Sequence, residues 1–277
     1  MKKTRRADEA LYADLNLESV ELARALIMEG RVLAGDRKLV RPGDPVKAGE
    51  TLRVKGKAVD AYVSRGAHKL KRAIEVFDID LRGAVCVDVG ASTGGFTDVM
   101  LRAGAAHVYC VDVGYNLLDY RLRSDPRVTA LERTNARFLT PEHFPTAPEF
   151  GATDVSFISL KAVLPTVLPL LTGRREFVAL VKPQFEAAKE DVGEKGVVRD
   201  PQVHAAVLRD MLAFVKSTDW AAVGLTHSPV RGPEGNIEFL LHLLPRADVP
   251  DEVREEAVSG IISAAYDFFF KSLIPPL

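Results

Sequence analysis

Four ionisable residues stand where strands or the core of this chain begin or end. They are Lys69 in Ser64-Arg65-Gly66-Ala67-His68-Lys69-Leu70, Asp154 in Thr153-Asp154-Val155-Ser156-Phe157, Lys182 in Leu180-Val181-Lys182-Pro183-Gln184-Phe185-Glu186, and Glu238 in Gly235-Asn236-Ile237-Glu238-Phe239. Each alone reads most simply as a salt bridge or a surface charge. Two amines and two carboxyls brought together can do more: they can hold or move a proton, since burial and a second amine lower a lysine's pKa while carboxylates raise it. Between the first and second of them runs Asp88-Val89-Gly90-Ala91-Ser92-Thr93-Gly94-Gly95-Phe96, followed by a helical stretch that Gly104 closes. Glycines there let the chain turn sharply and bring backbone against a ligand at a helix N-terminus. The spacing is not G-x-G-x-x-G, nor does it carry Gly-Lys-Ser/Thr, so hydride transfer and nucleotide hydrolysis both lose ground. Asp112 comes roughly 20 residues on, where an acid can accept hydrogen bonds from both hydroxyls of a ribose.

The elements that must position these residues follow from periodicity. From Val85 onward apolar strands alternate with helical stretches, which predicts an α/β domain with a mainly parallel sheet covered on both faces. Strands are expected at 85–89, 107–113, 127–131, 153–157, 177–181, 221–226 and 237–243. Ligands of such sheets bind beyond the carboxyl ends of the strands, where the informative residues are expected. The first 57 residues form a smaller α/β unit. In it Leu11 and Leu15 recur at helical spacing, Ser19 is placed to cap a second helix and Gly30 to end it. Short β runs follow at 32–33, at 39–40 ahead of Pro42-Gly43-Asp44, and at 51–54.

Composition bounds the function. At 277 residues and 30.3 kDa, with 47% apolar and 27% charged residues, the chain fits one large or two unequal folded domains. The longest stretch without a charge, 162–173, is far short of the roughly 20 residues that span a bilayer. The N-terminus Met1-Lys2-Lys3-Thr4-Arg5-Arg6 leads into Ala7-Asp8-Glu9 rather than an apolar signal core, so a cytoplasmic location is expected. Cys86 and Cys110 lie in strand-like runs and are expected to be reduced packing residues. The six histidines show no metal-ligand spacing, and no metal is expected. The net charge of −1 hides an asymmetry: residues 1–73 hold 17 Lys+Arg against 10 Asp+Glu, the remaining 204 hold 20 against 28. A basic front end on an acidic body points to a polyanionic partner, with a solvated basic face as the plain alternative.

The glycine loop, with Asp88 and Asp112, resembles the cofactor site of class I (Rossmann-like) methyltransferases. The resemblance implies S-adenosylmethionine bound by Asp88, Gly90, Ser92, Gly94, Gly95, Phe96 and Asp112, with Asn135 near the adenine. Arg-x-Asp at 6–8, the helix around Val20-Glu21-Leu22-Ala23-Arg24, Gly30-Arg31-Val32 and Val46-Lys47-Ala48-Gly49-Glu50-Thr51-Leu52 are similar to the RNA-binding module first seen in ribosomal protein S-four. The order Lys69, Asp154, Lys182, Glu238 resembles the FtsJ-like ribose 2′-O-methyltransferases. With Asp154-Val155-Ser156-Phe157-Ile158-Ser159-Leu160, Lys182-Pro183-Gln184-Phe185-Glu186 and Gly196-Val197-Val198, nearly the whole chain resembles the TlyA family, which joins both parts. Tyr62 departs from the Trp expected there.

The resemblance implies an RNA-binding domain at 1–57, a linker at 58–64 and a seven-stranded methyltransferase domain at 65–277. It also implies methylation of a cytidine 2′-hydroxyl in ribosomal RNA, of the small or large subunit or both, with the ribosomal subunit as partner. Lys182 would meet the hydroxyl as base or as cation, Asp154 and Glu238 would orient the two lysines, and Lys69 would complete the network. Arg5, Arg6, Lys38, Arg65, Arg133 and Arg137 are the implied RNA contacts. Competing chemistries fit less well. Methylation of an exocyclic base nitrogen favours Asn/Asp-Pro-Pro-aromatic where Asp154-Val155-Ser156-Phe157 stands, and cytosine C5 methylation needs a pocket cysteine. A small-molecule methyltransferase leaves the basic front end unexplained. A membrane-active protein is the other alternative, since relatives are often labelled haemolysins and 260–270 is apolar. The acidic start of that tail suits a helix packed on the sheet, and Phe268, Phe269 and Phe270 cannot all share one helical face.

Overall fold

The structure is a computed structural model that describes residues 4–15, 17, 20–47, 49–55, 62–232, 234–249 and 253–270. It divides into two compact units, Met1–Ala61 and Tyr62–Leu277.

The first unit holds β1 (Thr4–Arg6), α1 (Ala7–Asp14), α2 (Val20–Met28), β2 (Val32–Ala34), β3 (Arg37–Leu39), β4 (Pro45–Lys47) and β5 (Leu52–Val54). β2 lies between β3 and β5, antiparallel to both, and β1 pairs antiparallel with β4. Leu11, Leu26, Ile27, Val32, Leu39 and Val46 close a small apolar core. Leu15 falls just beyond α1 and is exposed, while Gly30 ends the turn after α2 at φ +66°. The expected cap Ser19 lies outside the described residues. The β1–β4 pair escapes sequence reading because three-residue strands carry too little alternation to register. At the division Met1–Ala61 the charge excess shrinks to 13 Lys+Arg over 10 Asp+Glu, because Arg65, Lys69, Lys71 and Arg72 belong to the second unit.

The second unit runs α3 (Ala67–Phe77), β6 (Val85–Val89), α4 (Gly95–Arg102), β7 (His107–Val111), α5 (Tyr120–Arg123), β8 (Val128–Leu131), β9 (Phe150–Thr153), α6 (Leu164–Val167), β10 (Glu176–Val181), α7 (Pro183–Glu186), α8 (Pro201–Lys216), β11 (Trp220–His227), β12 (Phe239–Pro245) and α9 (Glu255–Phe270). Its seven strands lie in the order β11-β12-β10-β9-β6-β7-β8, all parallel except β12, which runs against both neighbours. Alternation along the strands sends Val87, Val111, Phe177 and Ala179 to a core shared with α8 and α9. Cys86, Cys110, Val178 and Leu180 go to a core shared with α3 and α4. Both cysteines are buried and free, and burial pushes the Cys86 thiol up to about 12.

Strand boundaries differ from expectation mostly by one or two residues, and two of the differences bear on the site. The fourth strand is Phe150–Thr153 rather than 153–157. Its Gly151 and Ala152 carry little β signal, yet Gly151 is required: a Cβ there would sit 2.5 Å from the Phe177 ring. The β-like Val155-Ser156-Phe157 is the loop beyond it, with Phe157 left-handed at φ +62°. The last strand begins at Phe239, so Glu238 precedes a strand instead of lying within one. Because β12 is antiparallel and Val181 pairs with Phe239, the entry to β12 lies beside the exit of β10. The expectation that every informative residue follows a strand is corrected on that point.

Candidate active site

Parallel β9 and β10 deliver Asp154 and Lys182 just past their carboxyl ends, and antiparallel β12 delivers Glu238 from its start. α3 supplies the fourth group. Its Ala67, Leu70 and Ala73 pack into the core, and Lys69 in its first turn is drawn inward with them to 7% exposure. Lys69 Nζ stands 3.1 Å from Asp154 Oδ2 and 2.8 Å from Glu238 Oε2. Lys182 Nζ stands 2.6 Å from Asp154 Oδ1 and donates to Ser156 Oγ at 2.8 Å. Asp154 therefore bridges the two lysines, and all four predicted residues meet.

Their electrostatics follow from burial against pairing. Burial would lower the Lys69 pKa, but Asp154 and Glu238 outweigh it and hold the ammonium charged. Burial would raise Asp154, but Lys69 and Lys182 outweigh it and keep the carboxyl below its ordinary value. For Glu238 the balance tips the other way: fully buried, it is pushed above its ordinary value despite Lys69. Its Oε1 has no hydrogen-bond partner among the described residues and packs on Gly232, where a Cβ would come within 2.7 Å.

Two adjoining clefts open beside this cluster. The larger, 480 Å³, is lined by residues including Gly90, Asp112, Leu117, Asn135, Val155 and Phe157. The smaller, 210 Å³, is lined by residues including Ser64, Lys69, Asp88, Gly95, Phe96 and Lys182. Gly90, Ser92, Asp154 and Ser156 border both. Gly90, at φ +84°, is where β6 turns against the loop after β9: a Cβ would lie 2.9 Å from the Asp154 carbonyl oxygen. Gly94 borders neither cleft; it packs on Leu118 and Leu122. Asp112 accepts from the backbone N–H of Ser92 at 2.8 Å and of Gly114 at 2.7 Å, one on each oxygen, which leaves lone pairs for a diol. Asn135 accepts from the N–H of Arg137 at 3.1 Å. Asp88 is buried, accepts from Thr97 N at 2.9 Å and Thr97 Oγ1 at 2.7 Å, and its Oδ1 has no partner among the described residues. Burial pushes its pKa up to about 7.

Sequence reasoning missed Ser156, Thr97 and Gly232. Ser156 sat inside a block already singled out, whereas Thr97 and Gly232 carry no signal short of the contacts themselves. The predicted RNA contacts differ in how much charge they leave over. Arg5 is engaged bidentately by Asp14 at 2.8 and 2.7 Å, and Arg6 by buried Asp8 at 3.0 Å through both nitrogens. Lys38 is exposed, with no carboxylate in ion-pair distance among the described residues. In the second unit Arg65, Arg133 and Arg137 are exposed; Arg133 lies 4.3 Å over the Tyr115 ring and Arg137 5.5 Å over Phe138. Among the described residues no group of three or more His, Cys, Asp or Glu could hold a metal, and no helix is long and apolar enough to cross a membrane. In the tail, α9 buries Val258, Ile262 and Ala265, and Arg231 stacks over Phe269 and Phe270. Phe268 and Phe270 stay half-exposed.

Comparison with known proteins identifies the family. The FtsJ-like methyltransferase profile matches residues 62–244. The Mycobacterium tuberculosis (strain H37Rv) protein named 16S/23S rRNA (cytidine-2′-O)-methyltransferase TlyA is 44% identical over 265 residues, covering 95% of this chain and 99% of that one. Hemolysin A of Brachyspira hyodysenteriae is 36% identical over 240 residues, covering 86% and 99%. A solved structure of a hemolysin-named protein from Streptococcus thermophilus superposes with a TM-score of 0.75 at 39% identity, covering 98% and 99%. The chain belongs to the FtsJ-like methyltransferases and, within them, to the TlyA family.

Proposed function

We propose that the protein methylates the ribose 2′-hydroxyl of cytidine in ribosomal RNA, using S-adenosylmethionine, with the Lys69–Asp154–Lys182–Glu238 cluster as its catalytic centre. The observation that carries this reading is the convergence of two lysines on one buried-side carboxylate, at the junction of two clefts, in a family whose relatives are named for that reaction. The domain division, the assignment of RNA contacts and the ribosomal subunit as partner belong to the same proposal.

The clefts fit the cofactor. Asp112 has free lone pairs for the ribose hydroxyls, Asn135 and the apolar wall of the larger cleft suit the adenine, and the unpartnered Asp88 Oδ1 beside the smaller one suits a cationic amino-acid end. Bound there, S-adenosylmethionine supplies an already activated methyl group. What remains for the chain is alignment of a weak nucleophile and the fate of one proton. Lys182 is the side chain assigned to the hydroxyl, fixed from two sides by Asp154 and Ser156. Asp154 gives that arrangement its charge, and Lys69, clamped between Asp154 and Glu238, stops Asp154 from turning away.

Ribosomal RNA is the acceptor class because the relatives are named for it and because exposed cations, Lys38 in the first unit and Arg65, Arg133 and Arg137 in the second, suit phosphates. The test is transfer of labelled methyl to separated ribosomal subunits, followed by mass spectrometry of nucleosides. A 2′-O-methylcytidine product is expected. Transfer only to a small molecule, or to a base atom, would replace this reading, and leakage from liposomes exposed to the RNA-free protein would bring back the lytic one.

A further inference from the structure

The loop after β9 and the turn after β10 touch along a seam of several contacts, and only the first two belong to the cluster already described. Asp154 and Ser156 meet Lys182. Next along, the Phe157 and Phe185 rings lie 5.1 Å apart. At the far end Glu186 accepts from Ser159 Oγ at 2.6 Å and from the backbone N–H of Leu160 at 2.7 Å. Ser159 Oγ in turn accepts from Lys161 N at 3.1 Å, so one carboxylate secures the first turn of the 3-10 helix Leu160–Ala162.

We propose that Glu186 is a positioning residue for methyl transfer: it anchors the far end of the 154–160 loop to the Lys182 turn and thereby sets Asp154 and Ser156 on the lysine. The loop needs such an anchor. Phe157 is left-handed and 91% exposed, meeting the Phe185 ring, and Ile158 is only partly buried against the core, so the stretch between Ser156 and Ser159 relies on polar contacts as well as packing to hold it. Glu186 is fixed by the short helix α7, four residues from Lys182, so one rigid turn carries both the reacting amine and the clasp. Its carboxyl is partly withdrawn from water: burial lifts its pKa in spite of the Ser159 and Leu160 hydrogen bonds. Charges facing it from neighbouring elements are Lys161 and, on α8, Asp210, which pair with each other and leave the clasp to Ser159 and Leu160.

This inference rests on the proposed function, and its test separates the two. Glu186→Ala is expected to lower kcat for methyl transfer about ten- to hundredfold, the scale of a small misplacement at a reacting centre, with KM for RNA and Kd for S-adenosylmethionine within about threefold. In the free enzyme, amide exchange at Leu160 and Lys161 is expected to quicken. Glu186→Gln keeps an acceptor for Leu160 N–H and a partner for Ser159, and is expected to stay within about threefold of the parent kcat. Ser159→Ala, which leaves one of the two bonds, guards against loss of fold in Glu186→Ala and is expected to fall between the two variants. A folded Glu186→Ala enzyme with kcat within twofold of the parent, unchanged exchange, or equal losses in Gln and Ala variants would each overturn the anchoring role. If the parent itself transfers no methyl to ribosomal subunits, the proposed function fails, and exchange at Leu160 in Glu186→Ala still decides whether the anchor exists.

Discussion

The surface ion pairs of the first unit and the buried cluster at the candidate site of the second handle charge in opposite ways. In the first, ion pairs such as Arg5–Asp14, Arg37–Glu50 and Arg53–Asp36 lie at the surface, with arginine side chains 44–58% exposed. Such pairs are screened by water and salt and contribute little to stability. In the second, Lys69, Lys182 and Glu238 are buried around Asp154 and cannot relax into water. Burying charge is costly unless geometry is fixed, and fixed geometry is what a reaction on a weak nucleophile requires. Asp8 is intermediate: it is fully covered, yet its partners Arg6 and Arg24 are half-exposed.

Breaking this contrast at its strongest point gives the largest effects. Asp154→Asn strips both lysines of their shared carboxylate, and methyl transfer is expected to fall about 10²–10⁴-fold while urea unfolding shows a loss of about 3–5 kcal/mol. Asp88→Asn sharpens it. Because the Asp88 carboxyl is raised to about 7 in the folded state, it binds its proton more tightly there than in the unfolded chain. Its contribution is complete below about pH 4 and is lost as pH rises through about 7. Between pH 5 and 8.5 the parent should therefore lose roughly 2–4 kcal/mol more stability than the variant. An equal loss in both would show that Asp88 is not held protonated.

Asp8→Asn tests the intermediate case. Hydrogen bonds from Arg6 and Arg24 hold the Asp8 carboxyl below its ordinary value, so its contribution is present above about pH 4 and disappears as pH falls below it. A cost of about 1–2 kcal/mol at neutral pH is expected, confined to the first unit, with cofactor affinity unchanged by titration calorimetry. At the weak end, Lys38→Glu should leave stability within about 0.5 kcal/mol and reduce RNA affinity, with a salt slope lower by about 1–2.

The same contrast explains what was legible in the sequence. The buried cluster was legible through the order Lys69, Asp154, Lys182, Glu238, which resembles that of the FtsJ-like methyltransferases; taken singly, each residue reads as a salt bridge or a surface charge. The order of strands 85–89 and 177–181 was legible because continuous apolar runs mark fully buried parallel strands. β9 was displaced by several residues because Gly151 and Ala152 are small for the sake of Phe177, a tertiary demand with no local trace. Glu238 was placed inside a strand because nothing local tells that β12 runs backwards. In the first unit, Arg5 and Arg6 looked free in a basic run, and only folding shows Asp14 and Asp8 turned onto them.

The most direct test of the central claim is single-turnover methyl transfer to ribosomal subunits by the Lys182→Ala protein, with affinities for S-adenosylmethionine and RNA measured on the same preparation. The account predicts both affinities within about threefold of the parent and transfer reduced about 10²–10⁴-fold. Transfer at near-parent rate, with 2′-O-methylcytidine still formed, would contradict the assignment of Lys182 and with it the catalytic reading of the buried cluster.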